Sequence, residues 1–256
     1  MFKKKNTGDI KKKIFNYLNK KYTHFKNHYK PIMPLTIFQT WHTKNLPPKM
    51  KENVELLKAQ NPKFEHYLFD DNDCREFIQN NFNSDVLFAY DSLIPGAYKA
   101  DLWRLCVLYI NGGIYIDIKL NCINGFKLIE LTERNHFVRD RPLPLSIYNA
   151  VMACEKNHPF LLMAINQIVS NVKHKYYGTG PLCPTGPEML GHLILKNGLS
   201  LNIDMKHYMD GGYIIYKDTF VFSTQYPEYN NERQTSYSSI NTKYYNDLWI
   251  QRAIYK

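Results

Sequence analysis

A chain of 256 residues that is 44% hydrophobic and 14% aromatic can bury one large core, which excludes disorder for most of its length. Its longest uncharged run, Asn157 to Val172, contains Asn, Gln, Ser and Pro159 and is too short and too polar to span a bilayer; no apolar stretch follows Lys3, Lys4 and Lys5, so no secretory signal is expected. Residues 1–30 hold ten of the 33 basic residues and one of the 23 acids, so they carry +9 of the net +10 and the rest is nearly neutral. A nucleic-acid partner, the usual inference from a basic chain, therefore concerns the arm alone, and no specific nucleic-acid binding is expected of the globule.

Ile10, Ile14, Tyr17, Leu18, Tyr22 and Phe25 recur at helical spacing among the lysines, so residues 1–30 read as a basic helical arm able to make peripheral contact with a membrane. Pro31 and Pro34 separate it from a domain over 31–256. Leu35–Trp41 reads as a strand, Met50–Gln60 as a helix with Met50, Val54 and Leu57 on one face, and Phe64–Phe69 as a second strand. Asp71 or Asn72 is the expected cap of a helix through Phe77 and Ile78. Tyr98–Tyr109 reads as an apolar helix stopped at Asn111-Gly112-Gly113, followed by a strand from Ile114 to Leu120 and a turn at Asn124-Gly125. Phe160–Val172 and Met189–Leu195 read as helices flanking a Gly/Pro-rich loop, Tyr213–Phe222 as strands, and the segment from Asn230 as a polar, tyrosine-rich tail. Strands alternating with helices predict an α/β fold on a mixed sheet.

The five cysteines, Cys74, Cys106, Cys122, Cys154 and Cys183, are scattered and lack metal spacing. They read as reduced thiols, and together with the absence of a glycosylation sequon they predict a cytoplasmic protein.

Chemistry concentrates between residues 95 and 119. Asp101 and Arg104 lie three apart on an otherwise apolar helix, where a charged pair is costly unless its members pair with each other or face a ligand. Asp117 follows near the carboxyl end of a core strand, where open α/β sheets place ligand contacts. The run Pro95-Gly96-Ala97-Tyr98-Lys99-Ala100-Asp101-Leu102-Trp103-Arg104, then Asn111-Gly112-Gly113-Ile114-Tyr115-Ile116-Asp117, resembles the DxD region of a glycosyltransferase family. That family includes initiating α-1,6-mannosyltransferases, capsular and large-DNA-virus sugar transferases and, more distantly, clostridial glucosylating toxins. Ile37-Phe38-Gln39-Thr40-Trp41 resembles its first strand, and the composition is most similar to the viral members, for which the compartment would be host cytoplasm or virion.

The resemblance implies a GT-A fold, a single Rossmann-like nucleotide-sugar domain. It implies transfer from a UDP- or GDP-linked sugar to a glycan, protein or lipid-linked acceptor hydroxyl, with retention of anomeric configuration. Gln39 and Trp41 would lie by the base, Tyr98, Asp101 and Arg104 by the ribose and donor sugar, and Asp117 would bind the nucleotide and a manganese or magnesium ion. Thr185-Gly186-Pro187 resembles an acceptor-side loop, Tyr244, Asn246, Asp247 and Trp249 a closing element over the diphosphate, and His42 a further donor contact. The second DxD carboxylate is Lys119 here, and an ammonium cannot ligate a hard cation. Two readings follow: Lys119 supplies the positive charge itself, acting with Asp117 and Arg104 in catalysis, or Asp117 holds a metal with a residue of the tail. The rival functions are a non-catalytic nucleotide- or carbohydrate-binding module with a degenerate site, and a nucleic-acid or membrane-surface protein working through residues 1–30.

Overall fold

A computed structural model describes residues 28–140, 145–208 and 211–256, so the helix expected over the basic arm falls outside the described residues up to residue 27. In chain order the elements begin with β1 (Thr36–Thr40), α1 (Pro48–Gln60), β2 (Glu65–Phe69), α2 (Asp71–Asn81), α3 (Ser84–Ser92), α4 (Gly96–Asn111), β3 (Gly113–Ile116) and β4 (Asn121–Cys122). A 3₁₀ turn at Leu128–Leu131 leads to β5 (Val138–Arg139), β6 (Val151–Cys154), α5 (Pro159–Lys173) and α6 (Pro187–Asn197). The chain closes with β7 (Met205–Tyr208), β8 (Tyr213–Tyr216), β9 (Thr219–Ser223), α7 (Tyr229–Ser239) and α8 (Tyr245–Ile250).

The central sheet has the order β2-β1-β3-β6, parallel across its first three strands and antiparallel at β6, which makes it mixed as expected. Both of its faces are covered. Phe38 and Tyr115 pack with α4 and α5 residues on one side, whereas Ile37, Ile114 and Ile116 pack on the other against Met205, Ile214 and Phe222 of a second sheet. That sheet, β4-β9-β8-β7-β5, was not anticipated beyond its β8–β9 strands. Burial on both faces explains why the strands read as apolar runs. Helix α4 is buried all round, from Leu102 to Leu108, for the same reason.

Several local signals resolve differently from expectation. The cap of α2 is Asp70, whose carboxylate accepts from the backbone N–H groups of Asn72 and Asp73 while Asp73 accepts from its own N–H. Helix α3 is a single short apolar run, and α7 a polar sequence, so neither shows a helical apolar periodicity, and α8 spans only six residues. Gly112 and Gly113 do end α4, at φ 68° and 104°. A Cβ on Gly113 would lie 2.2 Å from the Thr36 hydroxyl, so the helix returns into β3 only through glycine.

The strand expected from Ile114 to Leu120 stops at Ile116. The N–H of Asp117 still bonds the Ala150 carbonyl at 2.8 Å, but Leu120 N–H then turns back onto the Asp117 carbonyl at 3.0 Å. Buried Asn53 of α1 holds this turn by donating to the carbonyls of Ile118 (2.9 Å) and Leu120 (3.0 Å). Ile118 accordingly leaves the aliphatic face and packs with Trp41, Met50 and Val54. The turn, not strand alternation, brings Asp117 and Lys119 to one side.

Candidate active site

At the carboxyl ends of β1 and β3 a cavity of about 250 Å³ opens between α4 and the C-terminal helices. Arg104, Asp117 and Lys119 line it, with Trp41 at one end and Tyr229 and Arg233 of α7 across from them. Asp101 lies directly beneath. The four charged side chains form one connected row: Asp101 Oδ1 is 3.3 Å from Arg104 Nη2, Arg104 Nη1 is 3.3 Å from Asp117 Oδ1, and Asp117 Oδ2 is 3.4 Å from Lys119 Nζ.

Arg104 is almost fully buried and satisfies each of its three nitrogens. Besides the two carboxylates, its Nε donates to the Ala100 carbonyl at 3.1 Å and its Nη1 to the Asn149 carbonyl at 2.7 Å. The guanidinium carbon lies 4.4 Å over the Tyr115 ring, whose hydroxyl donates to Asp117 Oδ1 at 2.8 Å. Asp101 is equally occupied, accepting from Asn149 Nδ2 (2.9 Å) and the Thr185 hydroxyl (2.8 Å). Burial pushes its carboxyl above the ordinary carboxylate range, while Arg104, Thr185 and Asn149 pull it back toward the charged form.

The residues expected around a donor thus separate into groups. Arg104, Asp117, Lys119 and Trp41 share the cavity. Asp101, expected by the ribose, has both oxygens turned to protein donors and positions Arg104 instead. Thr185, expected on the acceptor side, is the hydroxyl that holds Asp101. Gln39 is fully buried on β1 and bonds His66 Nε2 through its Oε1 at 2.8 Å. The Tyr98 hydroxyl donates to the Pro181 carbonyl. Trp249 is directed away from the cavity, its indole N–H bonding the Tyr177 carbonyl at 2.8 Å. Of the expected closing element, Tyr244 reaches the cavity together with its neighbour Tyr245. His42 also lines the cavity, with Nε2 2.6 Å from the Ser236 hydroxyl, and burial lowers its pKa below the ordinary histidine value. Trp41 is already stacked on one face by Tyr237, with centroids 5.8 Å apart and planes at 18°.

Sequence reasoning did not find Asn53, Asn149, Tyr229, Arg233 or Tyr237. Asn149 and Asn53 carry no local signature, since a buried amide is identified only by what it bonds. The tyrosine-rich tail was visible, but not the face of α7 that it presents.

A DxD-type divalent site fits these residues poorly. Among the described residues no group of three or more His, Cys, Asp or Glu side chains is placed to hold a metal. Both Asp117 oxygens face cationic groups, and the Lys119 ammonium stands where the second carboxylate of the motif would offer a hard oxygen.

Residues 47–138 match the family described as glycosyltransferase sugar-binding region containing DXD motif. Inositol phosphoceramide mannosyltransferase 3 of Schizosaccharomyces pombe is 34% identical over 157 residues, 59% of this chain and 43% of that protein. Glycosyltransferase L373 of Acanthamoeba polyphaga mimivirus is 28% identical over 138 residues, 50% of this chain and 52% of that one. The chain thus spans about half the length of these relatives. The solved PaToxG glycosyltransferase superposes with a TM-score of 0.51 at 16% identity, covering 75% of each chain, which bears on the fold.

The expectation of a cytoplasmic protein does not stand. Relatives of the chain are named as inositol phosphoceramide mannosyltransferases, and a ceramide is a membrane sphingolipid. The thiol argument also fails physically: all five cysteines are free because each is buried at its own place in the core, which reports packing and not compartment. No helix among the described residues is long and apolar enough to cross a membrane. On a GT-A fold, the chain thus carries over residues 47–138 a region similar to the DXD-containing sugar-binding region of glycosyltransferases.

Proposed function

We propose that the chain transfers a hexosyl group, mannosyl foremost, from a nucleoside diphosphate sugar to an acceptor hydroxyl, with retention of configuration. The observation that carries this reading is the Asp101–Arg104–Asp117–Lys119 row, buried at Asp101 and Arg104 and opening at Asp117 and Lys119 into a cavity at the carboxyl end of β3. Burying the Asp101–Arg104 pair is costly, and it holds Asp117 toward the cavity. Mannosyltransferases among the relatives support the choice of sugar.

In the transfer, the bond between the anomeric carbon and the diphosphate oxygen breaks, and its electron pair leaves with the diphosphate. The acceptor oxygen forms the new bond to that carbon, and its proton passes to the departing phosphate oxygen. Charge therefore grows on the leaving group, and a positive group aimed at it stabilises the transition state. Lys119, a quarter exposed at the cavity wall, is the cation that can do so. Arg104 acts one step back by fixing the rotamer and charge of Asp117, which faces the donor with its remaining lone pairs. We propose that the ammonium takes over part of the role a divalent ion would play.

The names of the relatives favour a lipid-linked acceptor carrying an inositol phosphate head group. The rim supports this: Ile94, Ile240 and Tyr244 line the cavity yet remain exposed, with Lys99 and Lys243 beside them. Apolar and basic groups side by side suit a lipid surface with an anionic head group.

Incubation with a panel of UDP- and GDP-sugars, with and without a chelator, tests the reading through release of nucleoside diphosphate. Release is expected from the unaltered chain and its loss from Asp117→Asn. If no donor is turned over, or if Asp117→Asn matches the parent, the proposal is wrong.

A further inference from the structure

The row of charges beside the donor space is self-neutralising: two carboxylates, Asp101 and Asp117, face two cations, Arg104 and Lys119. A diphosphate carries at least two negative charges, so a cavity closed by this row alone would meet it with no net positive charge. Arg104 donates through Nε and Nη1 to backbone carbonyls and lies 3.3 Å from both the Asp101 and Asp117 carboxylates, so its charge is already answered by protein.

The balance changes across the cavity. Arg233, on α7, lines the same space, and among the described residues no carboxylate pairs with its guanidinium. Two tyrosine rings hold it: the guanidinium carbon is 4.8 Å from the centroid of Tyr244 and 5.5 Å from that of Tyr229. Lys119 Nζ lies 5.8 Å from the centroid of the same Tyr229 ring. Thus one buried ring organises the free guanidinium and the ammonium on the wall of one cavity. Stacking of this kind leaves the edge of the guanidinium, with its fork of N–H donors, available to a ligand. Phosphate oxygens match that fork in pairs, which a point-like ammonium cannot do.

We infer that Arg233 binds the diphosphate of the donor and of the leaving nucleoside diphosphate, opposite Lys119, as a second cation supplied by α7. This rests on the transferase reading and deepens it: the ligand class is a nucleoside diphosphate, distinguished from a monophosphate by the number of phosphates the two cations can grip. It also gives α7 a task in the donor space, whereas the Trp249 indole of α8 is bonded to the Tyr177 carbonyl.

Calorimetric titration of the full chain with GDP and UDP, and with GMP and UMP, separates the possibilities, each in buffer containing a chelator. Charge-assisted bonds of this kind predict that Arg233→Ala weakens the diphosphate it binds by roughly tenfold or more. Monophosphate affinity should change far less, and Arg233→Lys should recover part of the loss. Arg233→Gln, which keeps the stacked stem, serves as the second variant if Arg233→Ala does not fold. Diphosphate affinity unchanged in both neutral variants, or mono- and diphosphate weakened equally, overturns the assignment of Arg233 while leaving sugar transfer standing. If the unaltered chain binds neither diphosphate, both the transferase reading and this inference fall together.

Discussion

Replacing Asp101 by alanine distinguishes a ligand-binding carboxylate from one that supports another side chain. Its two oxygens accept from Thr185 at 2.8 Å and Asn149 at 2.9 Å, and Arg104 lies 3.3 Å away with almost no exposure to water. Removing one partner of a buried charge pair costs about 3–5 kcal/mol. Two facts bear on where in that range the cost falls: Asp117 remains within 3.3 Å of Arg104, which limits the damage, but two buried donors lose their acceptor, which adds to it. We expect a loss of about 3–4 kcal/mol, a large part of the roughly 5–15 kcal/mol that holds a domain together. Melting should fall by about 10 °C, at roughly 2–4 °C per kcal/mol for a chain of this size class. Urea unfolding of the parent, Asp101→Ala and Asp101→Asn, each without nucleotide, measures this directly, the amide falling between the other two. A variant whose unfolding free energy stays within about 0.5 kcal/mol of the parent, on the surface-substitution scale, while its affinity for a nucleoside diphosphate collapses, would show that Asp101 faces the ligand and refute the supporting role.

Other perturbations probe different parts of the molecule. Lys119→Asp returns a second carboxylate beside Asp117, so nucleotide binding and turnover should become dependent on manganese; a variant as indifferent to chelator as the parent would contradict the charge-replacement account. His136 is fully buried and its pKa is lowered from 6.5 to about 4, chiefly by burial, with Arg134 and Lys217 adding to the effect. The unfolded chain therefore takes up this proton near its ordinary pKa while the folded chain resists, and stability falls as pH drops from about 6.5 toward 4, by ~2 kcal/mol at pH 5. Urea midpoints at pH 7 and pH 5 should show a shallower decline in His136→Gln, and parallel declines would count against it. Asp70→Ala removes the carboxylate that accepts from the Asn72 and Asp73 backbone N–H groups at the start of α2 and should cost about 1–2 kcal/mol in the same unfolding assay, with no effect on nucleotide binding.

The legible part of the fold was the part whose residues see both faces of a layer. Apolar runs at β1 and β3 and the helix stop at Gly112-Gly113 are local facts, and they locate the central sheet and α4 from the chain alone. Asp101, Arg104 and Asp117 were visible for a related reason, since charge inside an apolar stretch requires an explanation. Their division of labour was not visible. Whether Asp101 meets a ribose or Thr185 depends on a loop 84 residues away. The end of β3 depends on Asn53, which pulls two carbonyls out of strand geometry from the preceding layer. Helix α7 carries polar and tyrosine residues without apolar periodicity, and only its packing against Trp41 and Lys119 shows which side matters. Alternation suggested that Lys119 would sit beside Asp117. It does, but through a turn, so the neighbourhood was right and the reason for it was wrong.

The stacking of Tyr237 on Trp41 has a consequence for how this scaffold can diversify. The aromatic surface at this end of the cavity is composed of one ring just past the first strand and one from a helix nearly two hundred positions later. Position 237 lies outside the core sheet and is tied to it mainly through ring contact and the neighbouring His42–Ser236 bond. Exchanging that single side chain would change the space beside Trp41 while the strand, Asp117 and the cations stay as they are. In the proposed transferase, base preference would then be set at position 237, outside the matched region 47–138.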